Sequence, residues 1–198
     1  MRRILTAVAA AAAVTAIAAA PASASAKGHK PAGTIVDVAV QASGGGTPDN
    51  NPYDYDLLVQ AAVATGVAPA LADPNARFTL FAPNDRAFMR LVADLSGTHP
   101  ASEAEALNTA VAALGVEKIK NVLLYHAVAG KVLNPLQVLL SRSLTMANGG
   151  TVQVRGINVR DETDALRDPK LVLWALNIKA SNGVIHTIDR VLIPAGTA

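Results

Sequence analysis

The sequence predicts an α+β fold, with helices packed against mostly antiparallel sheet. Three observations predict it. Apolar residues recur at helical spacing through the first two thirds of the chain. Short alternating runs bounded by Asn-Gly turns fill the last third. No cysteine occurs among the 198 residues, so the fold must rest on its core, without disulfides, thiolate zinc or iron–sulfur clusters.

The N-terminal segment is read separately. Arg2 and Arg3 precede an apolar run from Ile4 to Ala20, and Ala24-Ser25-Ala26 offers small residues for cleavage. Residues 1–26 are therefore expected to be a secretory signal peptide. Their removal leaves 172 of the 198 residues, enough for one domain that buries about 68–70% of its unfolded surface. It also removes two of the 17 basic residues, leaving 15 against 15 acidic ones. A neutral chain has no field for nucleic acid, so that class is excluded. The leading run is rich in alanine and shorter than the roughly 20 residues that span a bilayer, and no cysteine is available for a lipid. The expected product is secreted and extracellular, with no transmembrane anchor. Forty alanines, with ten arginines against seven lysines, fit a bacterial chain from a GC-rich genome.

Residues 27–33 are expected to be a disordered leader, residues 34–194 the domain and 195–198 a tail. Thr34 caps a helix whose apolar positions are Ile35, Val38, Ala39 and Ala42. Gly44 to Pro52 is a loop; its triple glycine lacks the lysine and preceding strand of a phosphate-binding loop. Tyr53 to Thr65 forms the next helix and Val67 to Ala72 a short turn of one. Arg77 to Pro83 is a buried strand, and Asn84 caps a helix with Phe88 and Leu91 on its apolar side. Ser102 and Glu105 form a capping box for a helix closed by Gly115, and another helix spans Val116 to Leu124. Asn134-Pro135 starts a short helix through Leu140. Leu144, Thr151–Arg155 and Ile157–Arg160 form a meander, Leu171–Ala180 a strand, and Val184–Ile193 the final strand.

Few residues are candidates for chemistry. His126, His186 and Asp189 suggest a metal site or a triad, but residues three apart in a strand point to opposite faces. No motif of a metalloprotease or serine hydrolase accompanies them. Both histidines are expected to be buried and hydrogen-bonded. Phe78, Phe81, Phe88 and Trp174 are expected in the core. Tyr53 and Tyr55, beside Asp54 and Asp56, leave two roles open: stacking on sugar rings or a protein partner, or stapling the following helix. The acidic run Asp161-Glu162-Thr163-Asp164 could gather calcium oxygens but lacks EF-hand spacing. No catalytic residue, metal or cofactor is expected.

Three segments carry a family resemblance. Phe78-Thr79-Leu80-Phe81-Ala82-Pro83-Asn84-Asp85-Arg86-Ala87-Phe88, Leu124-Tyr125-His126-Ala127-Val128, and Ala180-Ser181-Asn182-Gly183 running on to His186-Thr187-Ile188-Asp189 and Pro194 resemble, in order, the motifs of the fasciclin-like (FAS1) domain. The resemblance implies a wedge of two mostly antiparallel sheets with helices packed over it. It implies a mainly structural role for Phe81, Pro83, Asn84, Phe88, Tyr125, His126, Asn182, Gly183, His186 and Asp189. It also implies an adhesion or matrix module that binds extracellular protein or cell-surface polysaccharide without catalysis; the aromatic and acidic loop makes Tyr53, Tyr55 and Asp56 the partner-binding candidates. Animal members that bind integrins carry an Asp-Ile pair where this chain has Asn177-Ile178, so the likeness stops short of integrin binding. The loop from Gly44 to Tyr55 is longer than the family's usual connection. The alternatives are a carrier of a small hydrophobic ligand or lipid, and an enzyme using His126 or His186.

Overall fold

Strand patterning and helix caps divide the chain much as expected. The computed structural model describes residues 33–197, so the expected signal peptide and all but the last residue of the leader lie outside the described residues. Helices α1 (Ile35–Ala42), α2 (Asp56–Ala64) and α3 (Ala68–Leu71) precede strand β1 (Phe78–Pro83). Helices α4 (Asp85–Ser96), α5 (Glu103–Leu114) and α6 (Val116–Leu124) follow, then β2 (Ala127–Ala129) and α7 (Pro135–Leu140). The last third carries β3 (Ser143–Thr145), β4 (Thr151–Arg155), β5 (Asn158–Arg160), a 3₁₀ turn (Leu173–Ala175), β6 (Ile178–Ala180) and β7 (Gly183–Ile188).

The strands form two sheets, ordered β2-β1-β7-β6 and β3-β4-β5. All pairs are antiparallel except the central one, where β1 and β7 run parallel from Phe78↔Gly183 to Pro83↔Ile188. This parallel pair is buried on both faces, which explains its nearly continuous apolar sequence. Alternation divides its side chains between two cores. Leu80, Ala82 and Ile185 join the helices in one cluster, whereas Phe81 and Ile188 join Val152, Val154 and Val159 of the second sheet in another. The α+β class and the two-sheet arrangement hold.

Local chemistry sets the caps. Asn84 accepts the Ala87 N–H at 3.1 Å, and Asn134 and Gln137 cap α7 reciprocally. Ser102 accepts the Glu105 N–H, but the Glu105 carboxylate reaches back to the Ala101 N–H instead of closing the expected box.

Four expectations are corrected. Helix α2 starts at Asp56 rather than Tyr53, because Asp49 and Asn51 side chains accept the Asn51 and Tyr53 N–H groups and hold the approach in Asx turns. Leu171–Ala180 is not one strand: the 3₁₀ turn and Asn177 at φ 60° interrupt it. Trp174, expected in the core, is 73% exposed on that turn. Strand β7 ends at Ile188, after which side chains accept from the backbone: Leu192 N–H donates to His126 Nε2 at 2.9 Å and Ile193 N–H to Asp161 Oδ2 at 2.9 Å. Beyond Pro194, Thr197 packs back, buried, with Lys118 Nζ donating to its carbonyl.

Candidate functional site

Three groups of polar or aromatic residues stand out, and their surroundings differ. The first joins the motif residues around the central parallel pair. His126 is fully buried; its Nδ1 donates to the Val122 carbonyl at 2.7 Å, and its Nε2 accepts the Leu192 N–H. Those two bonds require one neutral tautomer, and burial holds the ring's pKa down to about 4. His186 is likewise buried, with Nε2 donating to the Leu133 carbonyl at 2.8 Å and Nδ1 accepting the Asn177 N–H at 3.2 Å. Both nitrogens of each ring are therefore occupied, which leaves neither lone pair for a metal or a nucleophile.

Asn182 is the hub of the closing motif. Its carbonyl accepts the Ile35 N–H at 2.8 Å, and its amide donates to the carbonyls of Leu71 and Asp73. A Cβ on neighbouring Gly183 would run into the Phe78 carbonyl and Ile35, so only glycine fits between β1 and α1. Asp189 turns away from His186, accepting the Lys170 N–H at 2.7 Å and pairing with Arg90 at 3.3 Å. The Tyr125 hydroxyl donates to the Thr151 carbonyl and ties α6 to the second sheet. Pro83 ends β1, and Phe81 and Phe88 are core residues of the two clusters.

The second group is on the surface. Tyr53, 51% exposed, meets Trp174 edge-on with ring centroids 6.3 Å apart. Leu173 beside them is also exposed. Of the three residues proposed from sequence to touch a partner, Tyr53 alone is accessible. Tyr55 is 5% exposed and shares a 2.6 Å hydrogen bond with Thr187, and Asp56 is fully buried. The pair was misjudged because the Asx turns direct Tyr53 outward and draw the next residues under α4. Trp174, about 120 positions on in sequence, could not be joined to Tyr53 by local pattern.

The third group is acidic and internal. Asp56, Asp85 and Glu103 are the first residues of α2, α4 and α5, and these three helix starts converge. Asp85 accepts the N–H groups of Asp56 at 3.1 Å and Leu57 at 2.9 Å, capping α2 from outside because Tyr55 provides no side-chain cap. Glu103 accepts the Asp49 N–H at 2.8 Å, and Asp54 accepts from the Asn51 amide at 2.9 Å. Burial and the neighbouring charges push the Asp56 carboxyl up to about 6, and burial and the Asp54 hydrogen bond raise Asp85 further. The acidic run Asp161–Asp164 instead serves structure: Asp161 accepts backbone N–H groups of Thr163 and Ile193, and Asp164 pairs with Arg160.

Between the helices and the first sheet lies an apolar cavity of about 30 Å³, lined by Ile35, Leu58, Leu80 and Leu123 among others. That is space for one or two waters, not for an acyl chain.

The chain is similar to known proteins in sequence and in fold. The Fasciclin domain profile matches residues 54–194. The chain is 29% identical over 140 residues to protein sll1483 of Synechocystis sp. (strain ATCC 27184 / PCC 6803 / Kazusa), covering 71% of this chain and 67% of that one. It is 30% identical over 142 residues to sll1735 of the same organism, covering 70% and 89%. Human Stabilin-1 is 30% identical over 128 residues, which are 64% of this chain and 4% of Stabilin-1. Among solved structures, a FAS1 domain pair from the insect cell adhesion molecule Fasciclin I superposes with a TM-score of 0.59 at 15% identity. That match covers 82% of this chain and 51% of the pair, so the chain spans about half its length. Among the described residues, no helix is long and apolar enough to cross a membrane. With its three motifs in order, its two-sheet fold and a profile match over most of its length, the chain belongs to the fasciclin domain family.

Proposed function

We propose that the protein is a secreted, non-catalytic adhesion or matrix-interaction module that binds an extracellular protein or polysaccharide. FAS1 domains are generally adhesion-type modules without catalysis. The observation that carries the reading is the exposed Tyr53–Trp174 pair, two amphipathic rings held edge-on at the surface. Aromatic faces stack on the apolar faces of sugars and anchor protein interfaces, whereas a buried pair would serve only packing. The occupied nitrogens of His126 and His186 support the absence of catalysis at those positions. The carrier alternative loses support, because the apolar cavity is too small for a lipid.

The test is binding of the purified protein to a panel of polysaccharides and to washed envelopes of the producing cell. Saturable binding that falls at least tenfold in the Tyr53→Ala and Trp174→Ala variants supports the module and its surface, since truncating an interface anchor costs about 2 kcal/mol or more. Binding unchanged in both variants removes this surface, and no binding to any member of the panel removes the reading.

A further inference from the structure

The carboxylates at the converging helix starts are more numerous than their surroundings satisfy. Oxygens of Asp49, Asp54 and Asp56 lie within 4.8 Å of one another, and so do oxygens of Asp56, Asp85 and Glu103, with Asp56 common to both sets. Asp85 and Glu103 have backbone N–H partners. Asp54 and Asp56 differ. Both are buried, Asp56 completely; Asp54 shares a hydrogen bond with the Asp85 carboxyl and accepts from the Asn51 amide, whereas no donor among the described residues reaches either oxygen of Asp56. Buried polar atoms are nearly always partnered, so a fully buried carboxylate with both oxygens unpartnered, that of Asp56, marks a missing ligand. Because an oxygen of Asp56 lies among those of the other acids, its carboxylate faces the cluster rather than solvent.

Charge points the same way. Each helix start supplies roughly half a positive charge, about +1.5 for three, against as many as five carboxylates. No lysine, arginine or histidine forms an ion pair with any of them among the described residues. A proton on Asp56 would remove its charge and turn one oxygen into a donor, yet leave the other without a partner. A cation accepts both oxygens at once.

From this geometry we infer that Asp54 and Asp56, with Asp49 at the exposed mouth, bind one hard divalent cation of the calcium type. The donors are all oxygen, which selects calcium or magnesium over zinc or copper. Calcium is favoured because it tolerates irregular sets of carboxylates and can take Asp56 in bidentate fashion, whereas magnesium demands a near-ideal octahedron. The cation ties the loop at Asp49 to the start of α2. The inference is independent of which partner the protein binds.

Titration of EDTA-treated protein with calcium alone, followed by calorimetry and thermal melting, tests the site. The expected result is one cation per chain, a saturable rise in melting temperature, and a dissociation constant no weaker than about 1 mM, the weak end for extracellular calcium modules. Asp56→Asn abolishes the rise. Asp49→Asn, at an exposed position that does not threaten folding, weakens affinity several-fold, and decides alone if Asp56→Asn fails to fold. No calcium heat and no change in melting overturns the site. A rise with unchanged affinity in both variants overturns it as well, because the cation then binds elsewhere, such as the Asp161–Asp164 loop.

Discussion

Two buried polar regions of this protein look alike in burial and opposite in satisfaction. Around β1 and β7, His126, His186 and Asn182 bury polar side chains, and each nitrogen and oxygen has a partner in the backbone. At the starts of α2, α4 and α5, buried carboxylates crowd together, and neither oxygen of Asp56 has a partner among the described residues. Burial therefore does not distinguish structure from function here; satisfaction does. A satisfied buried group specifies one arrangement of the chain, and an unsatisfied one stores a requirement that a ligand can meet.

The sharpest way to break the comparison is Asn182→Ala. It leaves the Ile35 N–H and the Leu71 carbonyl without partners and takes one of two donors from the Asp73 carbonyl. At about 1–3 kcal/mol for each orphaned group, the loss should reach about 3 kcal/mol or more in denaturant unfolding. A loss below about 1 kcal/mol would show that the hub is dispensable.

His126→Gln comes next, with an expected cost of about 1–3 kcal/mol near neutral pH. Its pH dependence has a definite sign. The folded pKa of about 4 lies below the ordinary 6.5, so the neutral ring contributes stability above pH 6.5 that is lost as pH falls towards 4. The deficit of the variant relative to wild type should therefore narrow over that window. A constant deficit would mean that the ring accepts a proton while folded.

In the acidic region the sign reverses. Asp56→Asn in EDTA should stabilise by about 1 kcal/mol, since it removes a repelling charge and adds an amide donor beside Asp54. With saturating calcium the order should invert, wild type melting above the variant. Destabilisation in EDTA would place Asp56 with the satisfied groups after all. The smallest effect on stability is expected at the surface: Tyr53→Ala with Trp174→Ala should stay within about 0.5 kcal/mol of wild type. A larger loss would make the aromatic pair a structural staple rather than a recognition surface.

Much of the fold was legible because its determinants sit within a few residues of one another. Asn84 followed by Ala87 and Phe88, Asn134-Pro135 with Gln137, and the run Val116–Leu124 each specify a helix by caps and spacing alone. Trp174 was misplaced because Leu171–Ala180 alternates as a strand would, while Asn177 in left-handed backbone breaks the alternation. The site was less legible still. Asp56, Asp85 and Glu103 each look like ordinary solvated acids near helix starts, and nothing local says that these starts meet. The one available hint was an acidic residue near the start of each of three candidate helices, those at Asp56, Asp85 and Glu103.

By itself the sequence determined the class, most helix limits and the motif order, because caps, turns and periodicity act over one or two turns of chain. The tertiary structure decided that β1 and β7 run parallel, that Tyr53 meets Trp174, and that Tyr55 and Asp56 lie inside. It also decided that carboxylates as far apart as Asp49 and Glu103 converge on one place. Those outcomes depend on which surfaces of distant elements bury each other, and a spacing along the chain carries no measure of that.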